Sequence, residues 1–116
     1  MAKKVLIVDD EKSVQDICSR LVKYLGLEAL IAEDSEKALE FLNSADIGVA
    51  FLDYDLKDGP TGDLVAKAAR GLKVPSVIIS SNADRVEKFD KYNPVAYLTK
   101  PFDLDAFESY VKKYCL

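Results

Sequence analysis

Lys4-Val5-Leu6-Ile7-Val8-Asp9-Asp10 is an apolar run that stops abruptly at two carboxylates. A short continuous run of this kind reads as a β-strand, and the aspartates mark where it leaves the core. The pattern recurs along the chain. Asp53 follows Val49-Ala50-Phe51-Leu52, Ser80 follows Val77-Ile78-Ile79, and Lys100, with Pro101 behind it, follows Ala96-Tyr97-Leu98-Thr99. In an open parallel sheet the strand ends share one edge, and ligands bind there. Residues distant in sequence are therefore expected to meet in one small pocket holding three carboxylates, one hydroxyl and one ammonium.

The segments between these runs are helical. Val14, Ile17, Cys18, Leu21, Val22 and Leu25 recur at steps of three and four, and Gly26 follows as a stop. Glu28 to Ala32 reads as a short second strand. Asp34 or Ser35 can cap a helix carrying Ala38, Leu39 and Leu42. Ile47 to Leu52 is apolar throughout, as a central strand covered on both faces should be. After the turn-rich Lys57-Asp58-Gly59-Pro60-Thr61-Gly62, a third helix carries Leu64, Val65, Ala68, Ala69 and Leu72. Pro75 precedes the fourth strand, Ser76 to Ser80. A short polar helix is expected from Ala83 to Lys91, ended by Asn93-Pro94. Ala96 to Thr99 is the fifth strand, and Asp103 can cap a last helix with Leu104, Phe107, Val111 and Tyr114 on one face. Five β-α repeats with no linker imply an α/β domain, residues 1–116, with a five-stranded parallel sheet between two helical layers: the flavodoxin-like (βα)5 sandwich. Right-handed crossovers and a site at the switch point favour the order 2-1-3-4-5, which makes strands one and three neighbours and brings Asp9, Asp10 and Asp53 together.

The totals narrow the function. A chain of 116 residues, 49% hydrophobic and 31% charged, has the composition of one globular domain. A net charge of -4 argues against direct DNA binding, which needs clustered positive charge. There is no histidine, so neither a histidine base nor a histidine metal ligand exists on this chain. Two cysteines are too few for a disulfide framework, and Cys18 falls on an apolar helix face. With no signal-peptide pattern and no membrane-length apolar run, a cytoplasmic location is expected.

Three clustered carboxylates repel one another and stay ionised only when a cation compensates. Magnesium suits an all-oxygen ligand set. An aspartate in such a site can act as a nucleophile toward phosphorus, with catalysis supplied by positioning and charge neutralisation. Lys100 offers a point charge to a phosphoryl oxygen, and Ser80 a hydroxyl.

Val8-Asp9-Asp10-Glu11, the strand-terminal Asp53 and Ser80, and Lys100-Pro101-Phe102 resemble, in order and spacing, the receiver domain of two-component response regulators, over essentially the whole chain. The resemblance implies that Asp53 is the phosphoacceptor. It implies Mg2+ bound through the side chains of Asp10 and Asp53 and the backbone carbonyl of Asp55, with Asp9 acting through water. It makes Ser80 the switch hydroxyl, Tyr97 the switch aromatic and Lys100-Pro101 a cis bond. It names as partners a sensor histidine kinase or a histidine phosphotransfer protein, and a downstream protein target. The chain departs from the family at Lys57, where a proline is usual, at Gly62, one residue late, and between Ser80 and Lys100, about two residues short. That last region commonly carries the signal outward in this family.

Each motif alone has a plainer reading. Asp9-Asp10 can cap a helix, Asp53-Tyr54-Asp55 can be an acidic loop, Ser80-Ser81-Asn82 a turn, and Tyr97 half-buried packing. Two other functions stay open. Asp53-Tyr54-Asp55 with a later lysine also resembles the haloacid dehalogenase phosphatases and phosphotransferases, which usually carry threonine or valine where this chain has Lys57 and a longer chain with a cap. A receiver that only binds is the other, against which the intact set of Asp9, Asp10, Asp53, Ser80 and Lys100 argues. Flavin binding is disfavoured because the first turn is acidic and lacks a glycine-rich phosphate loop. The chain ends about where the last helix should, so output is expected through protein contacts rather than through an attached DNA-binding or enzymatic domain, and no membrane partner is expected.

Overall fold

The computed structural model describes residues 3–53, 62–80, 90–101 and 103–116. Its elements are β1 (Lys4–Val8), α1 (Lys12–Tyr24), β2 (Ala29–Ala32), α2 (Ser35–Ser44), β3 (Ile47–Asp53), α3 (Gly62–Gly71), β4 (Ser76–Ser80), β5 (Ala96–Thr99) and α4 (Leu104–Cys115). The five strands form one parallel sheet in the order β2-β1-β3-β4-β5. Most of the polar helix expected from Ala83 to Lys91 lies outside the described residues.

Alternation along the strands splits the core into two layers. Leu6, Val8, Ala50, Leu52 and Ile78 face α2 and α3, packing on Ala38, Leu42, Val65, Ala66 and Ala69. Val5, Ile7, Val49, Phe51, Val77 and Ile79 face α1 and α4, packing on Cys18, Val22, Phe107, Val111 and Cys115. Every residue of β3 is buried, as a strand covered on both faces requires. Phe51 and Phe107 meet at the centre of the second layer, ring centroids 4.4 Å apart and planes tilted by 38°.

The helix ends follow local chemistry. Asp34 caps α2 by accepting from the Lys37 N–H, and Asp103 caps α4 by accepting from the Asp105 N–H. α1 ends in a Schellman motif. Gly26, at φ +80°, donates to the Lys23 carbonyl and Leu27 to the Val22 carbonyl, while the Leu27 and Val22 side chains share one core layer. The expected helix faces shift at their edges. On α1, Cys18 and Val22 are buried but Ile17 is exposed; on α3 Leu64 is exposed while Ala66 is buried, and Leu72, exposed too, lies just past the helix end. On α4, Phe107, Val111 and Cys115 form the buried stripe and Leu104 lies at its exposed border. An apolar stripe read from sequence is wider than the arc of a helix that touches the sheet.

Gly48, near the start of β3, is where the C-terminal turn of α4 comes closest to the sheet. A Cβ built there would lie 2.8 Å from the Tyr114 carbonyl oxygen, 2.9 Å from Lys3 Cβ and 2.6 Å from Cys115 Sγ. Backbone cannot yield as a flexible side chain can, so Gly48→Ala is expected to destabilise the fold by about 1–3 kcal/mol. Gly71→Ala, at a helical position facing open space, should be neutral or stabilising by up to about 1 kcal/mol. Chemical denaturation of both variants beside the parent checks the contrast.

Candidate functional site

The pocket forms at the C-terminal edge of the sheet. Asp9 and Asp10 follow β1, Asp53 ends β3, Ser80 ends β4 and Lys100 follows β5. β1 and β3 are paired in the sheet, with Val8 beside Leu52, so the acidic pair and Asp53 are adjacent. Ligand oxygens of Asp9, Asp10 and Asp53 all lie within 4.8 Å of one another. Asp9, Asp53 and Ser80 are buried, at 1%, 2% and 1% exposure. The backbone N–H of Lys100 donates to the Ser80 carbonyl at 2.8 Å, which fixes where the lysine leaves the sheet. The Lys100-Pro101 peptide bond is cis.

The lysine side chain reaches back across the sheet edge. Its Nζ lies 3.2 Å from Asp9 Oδ2, 3.3 Å from Asp53 Oδ2 and 2.8 Å from Glu11 Oε1. Asp9 is held from two further sides. Its Oδ1 accepts from the Glu11 N–H at 2.8 Å, and its carbonyl accepts from the Gln15 carboxamide at 2.7 Å. Glu11 and Gln15 were not singled out by the sequence reading. Their signal was spacing: one sits at the N-cap of α1, the other a turn later on the same side, where a polar group can turn back toward the strand end.

Burial is the largest influence on Asp9 and pushes its carboxyl up from 3.8 to about 6, with the Asp53 charge adding to it; the Glu11 N–H and Lys100 oppose the rise. Burial works against the Lys100 ammonium, yet the hydrogen bond to Glu11 and the charges of Asp53 and Asp9 outweigh it and raise the pKa above that of free lysine. Cys18 lies beneath the pocket. Burial, then the Asp9 charge, pushes its thiol up to about 12, so it is an inert core residue. Cys115 is also a free, buried thiol.

Among the described residues Asp9 Oδ2 has no well-aligned hydrogen-bond donor and is met by the Lys100 ammonium at 3.2 Å. A buried carboxylate oxygen held by an ion pair alone, in an all-oxygen cluster of three aspartates, fits a hard divalent cation. Ser80 and Tyr97 lie on the sheet face of Ile78, Tyr97 pairing with Ile78 and Ser80 with Thr99. The Tyr97 ring is on the outer surface, 38% exposed, and its hydroxyl donates to the Asp90 carboxylate. Asp55 lies outside the described residues.

The sequence profile of the response regulator receiver domain matches residues 5–112. This chain belongs to that family. The receiver is 34% identical over 120 residues to the sensory transduction protein LytT of Bacillus subtilis, covering 96% of this chain and 47% of that protein. It is 25% identical over 118 residues to the transcriptional regulatory protein CrdR of Helicobacter pylori, covering 98% and 55%. The receiver thus spans about half the length of these curated relatives. Among solved structures it superposes on the Francisella response regulator 1452 receiver domain with a TM-score of 0.85 at 25% identity, covering 97% and 95% of the two chains. The receiver domain of the sensor histidine kinase PA1611 of Pseudomonas aeruginosa, described with magnesium in its active-site cleft, shares the fold, with a TM-score of 0.84 at 18% identity and 98% of each chain covered. The receiver is a signalling module of two-component systems. No helix among its described residues is long and apolar enough to cross a membrane.

The raised Asp9 pKa has a sign that can be tested. Between about pH 4 and pH 6 the native receiver holds this proton more tightly than the unfolded chain does. Without divalent cations, Asp9 therefore lowers stability as pH rises through that window. Asp9→Asn keeps the acceptor for the Glu11 N–H and removes the buried charge. In chelator at pH 7 it should be more stable than the parent by on the order of 1–3 kcal/mol, a gain that shrinks toward pH 4. Denaturation curves across that range check it, and a gain that does not vary with pH would refute it.

Proposed function

We propose that this receiver is a phosphorylation-dependent switch in which Asp53 accepts a phosphoryl group from the phosphohistidine of a sensor histidine kinase or a histidine phosphotransfer protein. The observation that carries the proposal is the contact of Lys100 Nζ with both Asp53 Oδ2 and Asp9 Oδ2 in one buried pocket at the sheet edge. Asp53 ends the rigid central strand, so its carboxylate is held for in-line attack. An Asp53 oxygen forms the new bond to phosphorus while the bond from phosphorus to the imidazole nitrogen breaks, its electron pair returning to the ring. Lys100 neutralises charge on the phosphoryl oxygens, and the Ser80 hydroxyl donates to one of them. Asp10 and Asp53, with the Asp55 carbonyl and Asp9 through water, would hold Mg2+, which supplies further neutralisation of phosphoryl charge when bound. The PA1611 receiver, named with magnesium in its cleft, supports that ligand reading for the shared fold. Water attack on the same phosphorus would reverse the modification, so the domain would catalyse its own loading and unloading without being a metabolic enzyme.

Ser80 and Tyr97 are the proposed transmitters. When Ser80 turns toward the phosphoryl group it vacates volume on the sheet face it shares with Tyr97, and the aromatic ring can leave Asp90 to enter it. This is a shift between two packings, driven by their differential affinity for the anion. The changed surface, including β5 and α4, would meet a downstream protein target.

Incubation with acetyl phosphate and Mg2+ tests the acceptor. The parent should gain the mass of one phosphoryl group, and Asp53→Asn should not. Equal gain by Asp53→Asn would overturn the assignment.

A further inference from the structure

Glu11 is the most exposed of the three carboxylates on Lys100. It is the N-cap residue of α1, without a side-chain cap hydrogen bond, and its backbone N–H donates to Asp9 while its carbonyl accepts from the Gln15 N–H. The side chain goes instead to Lys100. At 2.8 Å, Oε1 is nearer to Nζ than either aspartate is, and it is 54% exposed where the aspartate side chains are 1% and 2%.

An ammonium has three hydrogens, and among the described residues Nζ has three carboxylate neighbours. For Lys100 to reach an anion on Asp53, one neighbour must be given up. Asp53 carries the anion itself. Asp9 is buried and tethered on two sides by Glu11 and Gln15. Glu11 alone among the three can swing into water, where its charge is solvated at little cost.

We propose that Glu11 is a latch: a positioning residue that holds Lys100 in the resting receiver and competes with the phosphoryl group for its ammonium. The proposal rests on Asp53 being the phosphoryl acceptor and adds a determinant of how tightly the anion is held there. Removing the Glu11 charge frees Lys100 without disturbing the backbone hydrogen bond to Asp9, so anion affinity rises. A half-exposed carboxylate on a mostly buried ammonium corresponds to about a threefold to tenfold effect.

The test is the affinity for beryllofluoride, a phosphoryl mimic, measured by isothermal titration with saturating Mg2+ in a double-mutant cycle of Glu11→Gln and Lys100→Ala. Glu11→Gln should tighten binding about threefold to tenfold in the parent background and change it less than twofold when Lys100 is absent. Equal tightening in both backgrounds would mean that Glu11 acts through its field on any anion, and the latch would be wrong. Unchanged or weaker binding by Glu11→Gln would overturn it too. If the parent itself fails to bind beryllofluoride, the reading of Asp53 as acceptor falls, and the latch falls with it.

Discussion

The Lys100 ammonium is the internal counter-charge that lets Asp9 and Asp53 remain buried at one end of the sheet. Its Nζ lies 3.2 Å and 3.3 Å from their carboxylates. Removing water from a carboxylate without compensation costs several kcal/mol, so two such groups side by side would otherwise take up protons or pull the strand ends apart. One ammonium is not enough. Among the described residues Asp10 and Glu11 join Asp9 and Asp53, so four carboxylates stand against it, and the Asp53 charge adds to the rise that burial gives the Asp9 pKa. The site carries an excess of negative charge that a cation can relieve.

Everything else in the fold serves to hold those groups in place. The crossovers put β1 and β3 side by side, and the two apolar layers fix them there. Phe107 on Phe51 anchors the last helix against the central strand. Lys100 comes from an edge strand, and that strand is only half-buried. The counter-charge for a rigid centre thus rides on one of the less deeply packed parts of the sheet.

Much of this was legible in the chain. Uninterrupted apolar runs ending at Asp9, Asp53 and Ser80 gave the strands, and their alternation with helical periods gave the parallel order. The pocket followed, because strand ends share an edge. The lost details depend on contacts between elements. Glu11 looked like one more charge in a turn, and only the fold shows Lys100, 89 positions away, bonded to it. Gln15 carries no motif of its own, yet its carboxamide is turned inward to Asp9. Ile17 and Leu104 read as core, and line an open groove with Val14 and Pro101 instead. The end of α3 inverts a local rule: Gly71 lies within the helix, and Lys73 takes the left-handed position at φ 59° that glycine usually fills.

The clustered aspartates form a candidate cation site with an unmet charge. Titrating MgCl2 at constant ionic strength, while following backbone amide shifts, tests it most directly. Saturable shifts are expected at Asp9, Asp10 and Asp53, with clearly weaker binding in Asp10→Asn and little response along α1 beyond its first turn. Shifts that do not saturate, or that match those of an equivalent addition of NaCl, would contradict it.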